Sequence, residues 1–127
     1  MDEPAVKPVR WIASSRDDLR DFPEAVRLRV GGALWEAQKG GRASWAKALK
    51  GYGGSGVVEI VDDHDGDTYR AVYTVRFEGF VYVLHAFQKK SKSGIATPKR
   101  DLDLIDSRLR RAEEDYKRWR ASKTKAR

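Results

Sequence analysis

Thr68-Tyr69-Arg70-Ala71-Val72-Tyr73-Thr74-Val75-Arg76-Phe77-Glu78-Gly79-Phe80-Val81-Tyr82-Val83-Leu84-His85-Ala86-Phe87 is the stretch on which the fold turns. It is rich in β-branched and aromatic residues and is interrupted by Glu78-Gly79, a two-residue connection ending in glycine. That pattern predicts a β-hairpin of Thr68–Phe77 against Phe80–Phe87. If Phe77 faces Phe80, side chains sort by alternation into two sets. Tyr69, Ala71, Tyr73, Val75 and Phe77 share one face with Phe80, Tyr82, Leu84 and Ala86, an apolar surface expected to pack on helices. Arg70, Val72, Thr74 and Arg76 share the other with Val81, Val83, His85, Phe87 and Lys89. On that second face Arg70 lies opposite Phe87 and diagonal to His85, so basic and aromatic groups gather at one end.

Working upstream, Val57–Val61 is a further strand candidate. The acidic run 62–67 between it and the hairpin imitates a calcium loop. Aligned on Gly66, however, Val61 and Val72 fall where carboxylates are required, so no metal is assigned and a turn on Asp65-Gly66 is expected. The glycine-rich run 50–56 lacks the phosphate-loop pattern and leads into a strand, which makes it a connector. Val26, Val30, Ala33, Leu34 and Ala37 mark one face of a helix that begins at Phe22-Pro23 and ends at Gly40-Gly41. Ser14 or Ser15 ahead of Asp17-Asp18 starts a shorter helix, and Val9–Ile12 reads as a short strand. Downstream, Thr97-Pro98 opens a helix to about Trp119. Its stripe of Leu102, Ile105, Leu109, Ala112, Tyr116 and Trp119 is expected to dock on the sheet, although the helix is long enough for its far end to serve a partner. The fold class is therefore α+β: an N-terminal strand and helical hairpin packed on an antiparallel sheet, with a C-terminal helix. Residues 1–8 are expected to form a flexible arm, 9–119 the domain, and 120–127 a disordered basic tail.

Its 127 residues suit one domain with a real core. The absence of cysteine rules out disulfides, thiolate metal sites and cysteine nucleophiles. No apolar run approaches a membrane span, and the first residues lack the order of a signal peptide, so a cytoplasmic protein is expected. Charge is unevenly placed. Residues 1–88 hold 12 Lys and Arg against 13 Asp and Glu, whereas residues 89–127 hold 14 against 6. The positive excess of the chain lies in its last third, the footprint of a polyanion binder or of a solvated helix.

Several segments resemble a known family. They are Phe22-Pro23-Glu24-Ala25-Val26, Gly31-x-Ala33-Leu34-Trp35-x-Ala37-Gln38-x-Gly40, Leu49-Lys50-Gly51 and Tyr69-Arg70-Ala71-Val72-Tyr73-Thr74. With them go Tyr82-Val83-Leu84-His85-Ala86-Phe87-Gln88-Lys89-Lys90 and Thr97-Pro98. In this order they resemble the Gp49-like HigB toxins of the RelE/ParE superfamily, phage-derived members of type II toxin–antitoxin systems. The likeness spans roughly residues 9–112.

The resemblance implies a RelE-like fold, a cytoplasmic role, a helix-turn-helix antitoxin partner of the HigA type and ribosome-dependent cleavage of mRNA without metal or cofactor. In that chemistry a ribose 2′-hydroxyl attacks the adjacent phosphate, which requires charge stabilisation at the phosphorane and proton transfer at two oxygens. By position, Arg70 matches the family's strand arginine, and Lys89 and Lys90 its basic pair. His85 and Glu59 are the candidates for general base. Lys92, Lys99 and Arg100 would extend the basic rim toward RNA. The chain departs from the RelE archetype in having Glu59 and Val61 where basic residues precede the hairpin, and in lacking a sure counterpart of a tyrosine near the C-terminus. Two other readings remain open: a ParE-like inhibitor of DNA gyrase, and an inactive nucleic-acid-binding domain.

Overall fold

A computed structural model describes residues 5–54, 56–89 and 97–125. The elements run β1 (Val9–Trp11), α1 (Ser15–Arg20), α2 (Glu24–Gln38), β2 (Ala46–Ala48), β3 (Val57–His64), β4 (Asp67–Thr74), β5 (Val81–Lys89) and α3 (Lys99–Lys125). The strands form one sheet in the order β1-β5-β4-β3-β2, with β1 parallel to β5 and the other pairs antiparallel. Among the described residues no helix is long and apolar enough to cross a membrane.

Local chemistry accounts for most of these boundaries. Between β3 and β4, His64 pairs with Asp67 across Asp65 (φ 50°) and Gly66 (φ 83°). Two successive residues in the left-handed region make a type I′ turn, for which Asp-Gly is a preferred pair. The acidic run is thus a hairpin tip, as its sequence suggests. The β4–β5 connection also turns on Glu78-Gly79, with the Phe80 amide donating to the Phe77 carbonyl at 3.2 Å. The strands stop short of it, however, at Thr74 and Val81, so the connection has six residues where two were expected. Both prolines that precede long helices stand one place earlier than expected. Pro23 is the cap residue of α2, and Pro98 immediately precedes α3.

Both faces of the sheet are covered. The stripe Val26, Val30, Ala33, Leu34 and Ala37 of α2 is buried with Leu19 and Phe22 against Val58, Ile60, Ala71, Tyr73, Val81 and Val83. On the other face, Ile105 and Ala112 of α3 are buried against Val57, Val72, Tyr82 and Leu84, with Leu102, Leu109, Tyr116 and Trp119 packed alongside. The α3 stripe therefore docks on its own sheet. The helix continues six residues past Trp119, so 120–125 are helical where a disordered tail was expected.

A β-bulge divides the hairpin. Arg70 pairs with Phe87 and Val72 with His85, the register inferred from the turn, but Tyr73 pairs with Val83, leaving Leu84 as the extra residue. Beyond the bulge the expected faces are exchanged. Val81 and Val83 pack under α2, while Phe80, Tyr82 and Leu84 pack under α3. One inserted residue reverses the alternation, because the side-chain period of a strand is two. β2 was not expected at all. Its three residues are too few to show a period, and they form a strand only because the edge of β3 is there to pair with.

Candidate nucleic-acid site

The α3 face of the sheet changes character on the His85 side of the bulge. Here β5 presents His85, Phe87 and Lys89 in alternation, and β4 presents Arg70 opposite Phe87. Arg70 lies in the middle of the sheet and is 4% exposed. Its Nη1 donates to Glu59 Oε2 on β3 and to Thr97 Oγ1 just before α3, each at 3.2 Å. Thr97 was expected to cap α3; its hydroxyl instead orients the arginine. Glu59 pairs across the strands with Val72, which puts its carboxylate on the same face as Arg70. The strand position that bears a base in the archetype therefore bears the arginine's counter-ion here.

His85 is buried and held from both sides. Its Nε2 is 2.8 Å from Asp101 Oδ1, and its Nδ1 is 3.1 Å from Arg108 Nη1, while its ring stacks on Phe87 at 4.7 Å between centroids. A guanidinium has only donors, so Nδ1 must accept, and the ring proton sits on Nε2 and donates to Asp101. Burial foremost, then the Arg108 guanidinium, holds the imidazole below its ordinary pKa, against the opposing pull of Asp101. The contact with Asp101 is therefore a hydrogen bond of a neutral histidine. Arg108 also donates to the Leu84 carbonyl at 3.0 Å and to Ser14 Oγ at 3.3 Å. Burial pushes its own pKa down from the usual arginine value. Together these bonds fasten the first turns of α3 to β5 and α1.

The remaining sequence candidates fall around this centre. Lys89, paired in register with Thr68, is buried at the end of β5. Lys99 is exposed and reaches Asp103 at 3.2 Å. Arg100 is also exposed, and lines a shallow groove of about 460 Å³ with His85, Phe87, Asp101 and Leu104. Lys90 and Lys92 lie outside the described residues.

A second cleft, of about 450 Å³, opens on the other side of Arg70 at the edge of the sheet, lined by Arg29, Trp45, Lys47, Glu59, Val61 and Arg70. Arg29, Trp45 and Lys47 were not singled out in the sequence. They come from α2, the loop after it and β2, and no spacing in the chain announces that they meet. Asp101 and Arg108 were missed for a different reason: each reads as an ordinary charge on a solvated helix. Chemically, the two clefts and the groups between them offer a fixed guanidinium, a carboxylate within reach of it, buried and exposed lysines, and aromatic walls.

Comparison with known proteins agrees with this architecture. The structure is similar to that of a double mutant of the E. coli toxin RelE in the free state, with 17% identity and a TM-score of 0.54, covering 84% of this chain and 97% of that one. At that identity the likeness establishes the fold, which is RelE-like. A weaker similarity, with 20% identity and a TM-score of 0.44, covers 72% of this chain and all of a chain from the toxin–antitoxin complex RelBE2 of Mycobacterium tuberculosis. No curated protein matches. The family model described as Phage derived protein Gp49-like (DUF891) matches residues 17–110, from α1 to the middle of α3, and the chain belongs to that family.

Proposed function

We propose that this protein is the toxin of a type II toxin–antitoxin pair, a cytoplasmic endoribonuclease that cuts mRNA on the ribosome and is held in check by a helix-turn-helix antitoxin. The observation that carries the reading is Arg70, a guanidinium fixed on a RelE-like sheet by Glu59 and Thr97, with Lys89 on the neighbouring strand. Its planar fork suits two oxygens of one phosphate.

In the proposed reaction the RNA 2′-oxygen bonds to phosphorus and the bond to the 5′-oxygen breaks, leaving a cyclic phosphate and a 5′-hydroxyl. Glu59 takes the 2′-hydroxyl proton, and as it does so its hold on Arg70 weakens, freeing that charge for the phosphorane. The Lys89 ammonium, with Lys90 beside it in sequence, gives a proton to the departing 5′-oxygen. His85 acts as a positioning residue in this scheme. With Nδ1 accepting from Arg108 and Nε2–H directed at Asp101, it aligns β5 with the start of α3.

Controlled expression tests the proposal directly. Growth should arrest, and new mRNA 5′ ends should appear within coding regions. Arrest with intact mRNA and altered chromosomal supercoiling would replace the nuclease reading with gyrase inhibition.

A further inference from the structure

The cleft at the β2–β3 edge contains an aromatic ring that the catalytic scheme does not use. Trp45 Nε1 donates to the Arg29 carbonyl at 3.0 Å, anchoring the indole to α2. The ring also packs over Gly32 of the same helix, where a Cβ would lie in van der Waals contact, 3.4 Å from Trp45 Cζ2. The inner side of the ring packs against the core beneath α2, and the residue is only half-buried. Its remaining surface, with Val61, forms the apolar wall of the cleft, and β2, pairing only with residues 58–60, leaves this part of the edge uncovered. The Arg29 guanidinium lies over the ring, its carbon 5.0 Å from the centroid. Lys47 and Arg70 line the same space, and Arg29 Nε is 3.8 Å from Asp62 Oδ1, so three cations stand against two carboxylates, Glu59 and Asp62.

We infer that this cleft is a nucleotide subsite in which Trp45 stacks a nucleobase next to the phosphate held by Arg70, while Arg29 and Lys47 neutralise a neighbouring phosphate. The inference rests on the nuclease reading for Arg70's phosphate, but it assigns a separate set of residues. Three features favour a nucleotide over a protein side chain. The cleft's volume is within the ~300–1,000 Å³ of small-molecule sites. Its excess charge is positive. Its apolar wall is an indole already fixed in place, whose outer face Arg29 covers and would yield to a base as its guanidinium turns to the neighbouring phosphate, and every base has a π-face to offer. Trp45 is thus a substrate-positioning residue that holds whichever base lies beside the cut.

The test uses the full chain and an RNA oligonucleotide with 2′-O-methyl riboses, which cannot be cleaved because the attacking hydroxyl is blocked. Titration should quench tryptophan fluorescence, and the quench should vanish in Trp45→Leu, which keeps apolar bulk but no π-face. An abasic oligonucleotide of the same length should not produce it. In a translating extract Trp45→Leu should cut at least about tenfold more slowly whatever the base, and Trp45→Phe should recover most of the rate. Equal quenching by abasic and base-bearing RNA would overturn the subsite even if the leucine variant failed to fold, as would wild-type cutting by a folded Trp45→Leu. Quenching by a partner protein but not by RNA would assign the cleft to that protein. Loss of the nuclease reading looks different: a wild-type protein that shows the base-dependent quench but cuts no message keeps its nucleotide subsite and is not a nuclease.

Discussion

The two ends of the sheet face beneath α3 are built on opposite principles. Beyond the bulge, Phe77, Phe80, Tyr82, Tyr116 and Trp119 interlock, with ring centroids 4.8–6.1 Å apart and the Arg10 guanidinium 4.2 Å above Phe80. The polar groups of this end are closed off: Tyr82 and Arg10 both donate to Asp115 Oδ2, at 2.8 and 2.6 Å. Its stability comes from apolar area removed from water and from aromatic geometry. The other end places Arg70, Glu59, Asp101 and Lys89 in or near the same layer as the neutral His85, where each charge loses hydration and only its partners offset the loss. One strand pair thus supports a closed aromatic half and a charged half. Buried charge of this kind is costly to keep, and the comparison predicts different consequences for substitutions in each half.

The largest effect is expected at Arg70. Arg70→Ala should lower cleavage in a translating extract by at least about a hundredfold, through loss of a transition-state charge. It should also destabilise the fold by about 3 kcal/mol, because Glu59 keeps its desolvation without its counter-ion. Adding Glu59→Ala should return much of that stability and none of the activity, which double-mutant melts and rates would show together. Full activity in a folded Arg70→Ala protein would remove the functional distinction between the two ends.

A stability effect of similar size, with no catalytic component, is expected at the aromatic end. Phe80→Ala empties a buried site and breaks three ring contacts, and should cost about 3 kcal/mol in denaturant unfolding. The rate of cutting per folded molecule should be unchanged. A large drop in that rate would show that the ends are mechanically coupled through α3.

The smallest effect sharpens the role of His85. Because its folded pKa is depressed below 6.5, the neutral ring is the form the fold favours. That contribution is complete above pH 6.5 and declines as pH falls from there toward the folded pKa, with a slope of at most about 1.4 kcal/mol per pH unit. Protonation would put a proton on Nδ1 facing Arg108, detaching α3 from β5. Melting temperature measured from pH 7.5 to 5 should therefore fall more steeply in the wild type than in His85→Gln. Parallel curves would mean that the ring carries no such linkage.

Much of this molecule was determined by the sequence acting locally. The α2 stripe from Val26 to Ala37, the Asp65-Gly66 turn, the docking stripe of α3 and the pairing of Arg70 with Phe87 all follow from period, turn chemistry or spacing within a few residues. Other features needed the tertiary structure because their causes are distant in the chain. The Leu84 bulge, which sends Phe80 and Tyr82 to the opposite face, is a choice between two packed helices, and alternation of the strand itself is blind to it. β2 exists only against β3. Glu59 becomes the counter-ion of Arg70, Asp101 and Arg108 become the clamp on His85, and Trp45 becomes the wall of a cleft, only when strands and helices far apart in sequence are brought together. Sequence period reports which side of an element meets apolar neighbours; which charged or aromatic group stands opposite which is settled by the closure of the sheet.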